Sequence, residues 1–330
     1  MKQFVRYVKV LGTGSYVPEK VYTNKYLETI CDTKDEWIKE NLGIKERHIA
    51  SNDQATSDLA TEAALNALIS ARISADRIEL IIVATATPDR LAPSTACIVQ
   101  EKIKAYNAVC FDISAVCSGF LFAISTASQY IASGVYNNAL VIGADTFSKI
   151  TNWERRDCVF FGDGAGAAVL SSSEEESGFL AFRLFSDGRG KDNFTVLAGG
   201  SEIPASIETL NSGMHYFSMN GKEVYNTAVS VLPKAIKMVL EDTKLSINDI
   251  DILIPHQPSI KILQKTAEII GLPFSKVMTN MDKYGNTSGG TIPILLDEVY
   301  KSGKIKKGSK ILFAAVGSGW TWGAAILNWI

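Results

Sequence analysis

Residues 73–82 read I-S-A-D-R-I-E-L-I-I, and residues 245–254 read L-S-I-N-D-I-D-I-L-I. The two stretches align without a gap at an offset of 172 residues. Each follows an amphipathic helical pattern, near Leu59–Arg72 and near Val224–Leu240, and each runs into a short apolar strand. A second correspondence has an offset of 169. Ser133-Gly134 follows Cys117 by 16 residues, and Ser302-Gly303 follows Asn286 by 16. An apolar strand follows each pair, Ala139–Gly143 and then Lys310–Ala315. Any α/β chain repeats strand–helix–strand, but two matches at nearly one offset point to an internal duplication. The halves divide at the polar turn Ser171–Gly178, between the strands Gly166–Leu170 and Phe179–Phe185, giving residues 1–172 and 173–330. Alternating helices and strands predict an α/β fold with mostly parallel strands. A two-fold repeat sets equivalent strand ends side by side, where residues of both halves can converge.

Composition narrows the function. The chain has 330 residues, 46% of them hydrophobic and 21% charged, as in ordinary globular proteins. A net charge of -2 and the absence of a basic run argue against nucleic acid as a partner. Apolar stretches such as Leu80–Ala84 and Ile311–Val316 are strand-length, far short of the ~20 residues a membrane span needs. Met1–Arg6 lacks the apolar core of an export signal, and Tyr7–Leu11 reads as a first strand, so a cytoplasmic protein is expected. The five cysteines form no C-x-x-C pair and the three histidines are scattered, so free thiols are expected, with no metal and no bound cofactor.

Three segments carry chemistry. Cys117 stands in A-V-C-S-G-F, between the strand Ala108–Ser114 and a helix from Ser118 to Ala132. A thiol at a helix N-terminus feels the positive end of the dipole, which favours thiolate, and a free N–H there can receive an oxyanion. A buried structural cysteine is the commoner fate of a single cysteine, and Cys97, Cys110 and Cys158 fit it. His256, in I-P-H-Q-P-S, closes the strand Ile250–Ile254; its imidazole can donate through one nitrogen or accept a proton. Asn286, in Y-G-N-T-S-G-G-T-I-P, occupies the position equivalent to Cys117 and offers a donor that does not titrate. Two neutral donors aimed at one oxygen stabilise an enolate or oxyanion. A Cys–His pair also serves proteolysis, but proteolysis does not call for an asparagine at the duplicated position. The Gly-rich runs G-D-G-A-G at 162–166 and G-S-G at 317–319 match neither a dinucleotide fingerprint nor a P-loop; close backbone packing, or oxyanion binding by Gly319, suits them better.

With these motifs the chain resembles the β-ketoacyl-acyl carrier protein synthase III family of the thiolase superfamily. The likeness runs through D-E-W-I at 35–38, G-I-K-E-R-H-I-A at 43–50, the Cys117 segment, F-G-D-G-A-G-A-A-V-L at 161–170, M-N-G-K-E-V at 219–224, the His256 and Asn286 segments, and G-S-G-W-T-W-G at 317–323. It implies a five-layer αβαβα thiolase-like fold, a homodimer and a two-step reaction. Cys117 would take an acyl group from acyl-CoA. His256 and Asn286 would hold a malonyl thioester carbonyl while CO2 leaves, and the carbanion would attack the acyl-enzyme. The N–H groups of Cys117 and Gly319 would form the oxyanion hole. CoA contacts would fall to Trp37, Arg155, Gly221, Tyr225 and Ser259, and Lys261 would touch an acyl carrier protein.

The chain departs from the family pattern in places that bear on substrate. Asn41 stands where an arginine is usual, Pro258-Ser259 replaces Ala-Asn, and Glu268 and Ile269 replace a frequent lysine pair, which weakens the basic face for an acidic carrier. Ala92 stands where short-chain members often carry a phenylalanine that reaches into the partner subunit's acyl pocket. A primer longer than acetyl is therefore expected, unless Leu91 or Arg90 fills the space. The leading expectation is a condensing enzyme that initiates fatty acid synthesis. The alternatives are a related synthase or acyltransferase of a specialised metabolite or surface glycan pathway, and a non-catalytic carrier-binding protein.

Overall fold

The computed structural model describes residues 6–175 and 177–330; the Met1–Val5 part of the leader reading and Glu176 of the polar turn lie outside them. Nine strands build two sheets. In chain order they are β1 (Tyr7–Tyr16), β2 (Leu80–Ala84), β3 (Val109–Ile113), β4 (Asn138–Asp145) and β5 (Gly164–Ser173), then β6 (Gly178–Ser186), β7 (Ile252–Pro255), β8 (Lys310–Gly317) and β9 (Thr321–Asn328). Seven helices matter here: α1 (Asp35–Asn41), α2 (Thr56–Ala71), α3 (Thr95–Ile103), α4 (Gly119–Ala132), α5 (Gly221–Thr243), α6 (Ile260–Ile270) and α7 (Thr291–Lys301).

The first sheet runs β1-β5-β4-β2-β3 and the second β6-β9-β8-β7. The two orders coincide when β6 is matched to β1, β9 to β5, β8 to β4 and β7 to β2. A single parallel bridge, Leu253 to Val277, stands where β3 has its counterpart. The register repeats as well: Leu80 pairs with Ala139, and Ile252 pairs with Ile311, each residue displaced by the same 172. Only β2, β3 and β4, and likewise β7 and β8, run parallel; the remaining pairs are antiparallel. The expected majority of parallel strands is thus confined to the centre of each sheet, where helices cross over.

Three separate cores account for five layers. α2 and α3 cover the outer face of the first sheet around Leu59, Val99, Ile142 and Val169. α5 and α6 cover the outer face of the second around Leu232, Ile236, Ile262 and Ile326. α4 and α7 lie between the sheets, and their core joins Phe120, Ile124 and Leu295 to Val141 of one sheet and Phe313 of the other. α7 is buried at eight of its first nine residues, as a helix enclosed on all sides must be. The central layer needs close approach. A Cβ on Gly143 would lie 2.1 Å from the Gly289 carbonyl oxygen, and one on Gly166 would lie 2.5 Å from the Ile294 nitrogen. The G-D-G-A-G run is thus a backbone-packing element, as its composition suggested.

Candidate active site

The end of each central strand delivers one residue to a common cavity of about 320 Å³, lined by Cys117, His256 and Asn286 together. Cys117 lies in a single 3-10 turn, Val116–Ser118, that leads into α4. Val116 holds φ +46°, a left-handed conformation that costs a β-branched residue on the order of 1–2 kcal/mol. The equivalent residue of the other half is Gly285, with φ +65°. The same sharp turn therefore presents Cys117 and Asn286 in their respective halves, relaxed in one and strained in the other.

Asn286 is held by its backbone. Its N–H donates to the Phe160 carbonyl (2.9 Å), and its carbonyl accepts from Gly162 N–H (3.1 Å), so the first half positions the second half's residue. Its Oδ1 accepts from Ser288 N–H (2.8 Å), which leaves the amide Nδ2 as the free donor. His256 continues the β7–β8 ladder by donating its backbone N–H to Ala314 (2.8 Å). It is 2% exposed, and its Nδ1 is buried without a partner. No acceptor faces Nδ1, so the proton sits on Nε2, the nitrogen left to face the cavity. Burial holds the imidazole at about 3, so it is neutral at any working pH.

The thiol differs from the expectation of a thiolate. Burial pushes Cys117 up to about 12 from 9.0, Asp145 adds to the rise, and a hydrogen bond to Ser288 opposes it. Three units correspond to about 4 kcal/mol, whereas a helix N-terminus supplies about 2 kcal/mol at most. Desolvation wins, and the resting enzyme carries a neutral thiol beside a neutral imidazole. Cys117 Sγ donates to Ser288 Oγ at 3.6 Å.

Exposed residues line the cavity mouth. Trp37, Tyr225, Gly221, Ser259 and Lys261 stand there. Lys261 Nζ donates to Asn41 Oδ1 (2.6 Å), and Asn41 Nδ2 donates to the Trp37 carbonyl (2.8 Å). The asparagine thus ties Lys261 to the end of α1. Ser259 caps α6 by accepting from Ile262 N–H (3.3 Å).

Three expected residues stand elsewhere. Arg155 does not line the cavity; it pairs with Asp157 and donates to the Phe217 carbonyl (3.2 Å). Its neighbour Arg156 lies over the Trp37 ring, 4.4 Å from the centroid, and the repeated arginine in E-R-R-D was the signal for it. Gly319 lines an adjoining groove with Val116, Phe147, Phe194 and Ser318; the cavity shares Phe194 and Ser318 with that groove. Gly317 is the glycine packed on the nucleophile turn, its Cβ position 3.1 Å from Cys117 N. Ala92 is exposed beside Leu91, which is 89% exposed, and lines neither cavity nor groove.

The sequence reading also passed over three features. Phe147, Phe161, Phe194 and Phe217 form an aromatic cluster against Val116, with ring centroids 4.4–6.4 Å apart. Asp145 is fully buried next to the nucleophile turn. The sulfurs of Cys31 and Cys158 lie 3.3 Å apart as free thiols. Phenylalanines at four distant positions and an aspartate ending a strand carry no local signature. Their meaning arises only where the chain brings them together.

A two-fold αβαβα architecture with a cysteine, a neutral histidine and an asparagine at its pseudo-dyad defines a thiolase-fold acyltransferase of the condensing class. Comparison with known proteins makes this specific. Residues 111–188 match the 3-oxoacyl-(acyl-carrier-protein) synthase III family profile, and residues 240–329 match its C-terminal profile. The chain is 49% identical to beta-ketoacyl-(acyl-carrier-protein) synthase III of Clostridioides difficile, over 97% of this chain and 98% of that one. It is 50% identical to the enzyme of the same name from Caldanaerobacter subterraneus, over 97% of both. A crystal structure of 3-oxoacyl-(acyl-carrier-protein) synthase III from Aquifex aeolicus superposes with a TM-score of 0.91 at 43% identity, covering 98% of this chain and 100% of that one. The chain belongs to the 3-oxoacyl-(acyl-carrier-protein) synthase III family, and it is an acyltransferase of the condensing type.

Proposed function

We propose that this enzyme initiates fatty acid synthesis by condensing an acyl-CoA with malonyl-acyl carrier protein. The observation that carries the reading is the convergence of Cys117, His256 and Asn286 on one cavity from three separate strand ends. Cys117 Sγ attacks the acyl-CoA thioester, and the oxyanion is received by the N–H groups of Cys117 and Gly319. CoA leaves, and the acyl group stays on sulfur. The malonyl thioester carbonyl then accepts from His256 Nε2–H and Asn286 Nδ2–H. Loss of CO2 makes a carbanion equivalent whose charge rests on that oxygen, so no strong base is needed and neutral donors suffice. The carbanion attacks the acyl-enzyme carbonyl and releases the β-ketoacyl product. Splitting the reaction through a covalent thioester replaces one hard step with two easier ones.

The adenine end of CoA is read by Trp37 with Arg156, and the pantetheine arm passes Gly221, Tyr225 and Ser259. Lys261 and the lysine-poor face behind it meet the acidic carrier. The enzyme works as a homodimer: β3 is an open sheet edge with Val109 50% exposed, and Leu91 and Ala92 stand on the loop leading to α3. A second copy pairing there would protect the edge. A cytoplasmic enzyme suits the five free thiols. A specialised pathway is disfavoured, because relatives at 43–50% identity bear the fatty-acid synthase name, whereas the priming β-ketosynthase of a polyketide pathway stands at 28%. Primer length depends on how a partner copy meets the Ala92 loop, since the phenylalanine cluster already fills much of the space behind Val116.

Intact-protein mass after incubation with acetyl-, octanoyl- or decanoyl-CoA tests this reading. One added acyl group, absent from Cys117→Ala, is expected. Adduct formation with octanoyl-CoA within tenfold of acetyl-CoA would support the longer primer, and a larger preference for acetyl would remove it. No adduct with any donor would overturn the assignment of Cys117.

A further inference from the structure

The neutral thiol poses a question that the three central residues leave open: where its proton goes when sulfur attacks. The imidazole of His256 is the usual candidate for such a role, but it is buried in surroundings that disfavour its charged form. A second acid–base group lies closer in connectivity. Cys117 Sγ donates to Ser288 Oγ (3.6 Å), and the Ser288 hydroxyl bonds the Asp145 carboxylate. Asp145 ends β4, is fully buried, and its two oxygens are unequally occupied. Oδ1 accepts from Thr85 Oγ1 (3.1 Å), Ala86 N–H (2.7 Å), Thr87 N–H (3.1 Å) and Thr87 Oγ1 (2.9 Å). Oδ2 accepts from Gly289 N–H alone among the geometric bonds (2.9 Å), and it faces the turn that carries Ser288. A carboxylate with no cationic partner and one lightly used oxygen, buried one hydroxyl away from a thiol, has more than a packing role to offer.

Building on the assignment of Cys117 as nucleophile, we propose that Ser288 and Asp145 form a proton relay that receives the Cys117 thiol proton during acylation. As Sγ bonds to the thioester carbon, its proton passes to Ser288 Oγ and the Ser288 proton passes to Asp145 Oδ2. When the bond from carbon to the CoA sulfur breaks, the proton returns from Asp145 through Ser288 to the departing sulfur. The sum is Cys117–SH plus acyl–S–CoA giving Cys117–S–acyl plus HS–CoA, with no net proton released. Ser288 and Asp145 do not enter the decarboxylation, which relies on His256 and Asn286. The relay spans both halves of the duplication: Asp145 and Cys117 come from the first, Ser288 from the second.

Burial raises Asp145 above the ordinary carboxylate range, which makes it a better proton acceptor than the imidazole. The ionisable groups that act on this site are Cys117 on the nucleophile turn and Asp163, which is buried near it before β5. The remaining neighbours named above are hydroxyls and backbone amides, so a proton arriving at Asp145 meets no competing cation there.

The test separates the two half-reactions. Ser288→Ala removes the relay hydroxyl but keeps the backbone N–H that orients Asn286. Acylation, followed by intact mass under rapid quench, should fall by about 100-fold, the lower range for a lost acid–base path. Enzyme acylated to completion by long incubation should then release CO2 from a malonyl thioester within threefold of the wild-type rate. Asp145→Asn, checked for folding by circular dichroism, should show the same selective loss. The pH dependence of acylation should also move with Asp145→Asn, which a purely structural role would not produce. Acylation of Ser288→Ala within threefold of wild type overturns the relay, as does an equal fall in both half-reactions. Failure of the wild type to form any adduct would instead refute the Cys117 assignment itself.

Discussion

Lowering the pH from 7.5 to 5.0 should unfold this protein by a route that runs through His256, and the size follows from the structure. The unfolded imidazole titrates at 6.5, whereas burial lowers it to about 3 in the folded state. Between these values the unfolded chain binds a proton that the folded chain refuses, so stability is full above pH 6.5 and falls as pH drops toward 3. At pH 5.0 the loss is RT ln(1 + 10^1.5), about 2 kcal/mol. This figure depends on the unfolded value alone so long as the folded one stays well below 5. Asp163 works in the opposite sense. Its carboxyl is raised from 3.8 to about 6 by burial, so the folded state takes up a proton first and gains roughly 1.4 kcal/mol over the same interval. The two effects nearly cancel in the wild type. They separate in His256→Gln, which keeps a side chain of similar size but does not titrate. Urea unfolding followed by tryptophan fluorescence, at one protein concentration and at both pH values, gives the four free energies. The wild type should lose about 2 kcal/mol more than His256→Gln on going to pH 5.0. A difference below about 0.5 kcal/mol would refute the claim that the imidazole is held neutral by burial.

Two further outcomes follow from the site and its packing. Arg156→Ala should raise KM for the CoA donor by about 2- to 30-fold with little change in kcat, because a guanidinium over an aromatic face is worth about 0.5–2 kcal/mol; a larger effect from Arg155→Ala in steady-state assays would reverse the assignment. Gly143→Ala should cost at least about 3 kcal/mol and abolish acylation, because its Cβ would strike the Gly289 carbonyl beside Ser288; a melting temperature within 2 °C or so of wild type would show that the central layer yields more easily than its geometry implies.

The duplication was legible because it is written twice in one dimension. The 73–82 and 245–254 stretches differ in residues but share the order of apolar, capping and acidic positions, and the structure repeats their strand register at the same offset of 172. Cys117, His256 and Asn286 were legible because each sits in a short turn whose neighbours are Gly or Pro. The second sheet's missing edge strand was not legible, because Val277 is apolar like any strand residue and only its lack of neighbours reduces it to a bridge. Arg156 and Arg155 could not be told apart, because which of two adjacent arginines lies over Trp37 depends on Asp157 and the Phe217 carbonyl holding the other.

Sequence alone determined the α/β class, the two-fold plan, the identity of the nucleophile candidate and its two neutral partners. These are properties of local pattern, carried by hydrophobic period, turn residues and spacing. Tertiary structure decided the ionisation of the site and the company it keeps. The thiol is neutral because the fold removes it from water, an effect larger than the helix dipole that the sequence could reveal. Asp145 stands beside Cys117 because two sheets and a central helix layer close on each other with glycine at the contact. Burial is a sum over residues distant in the chain, so the charge state of a group cannot be read from its own neighbours in sequence.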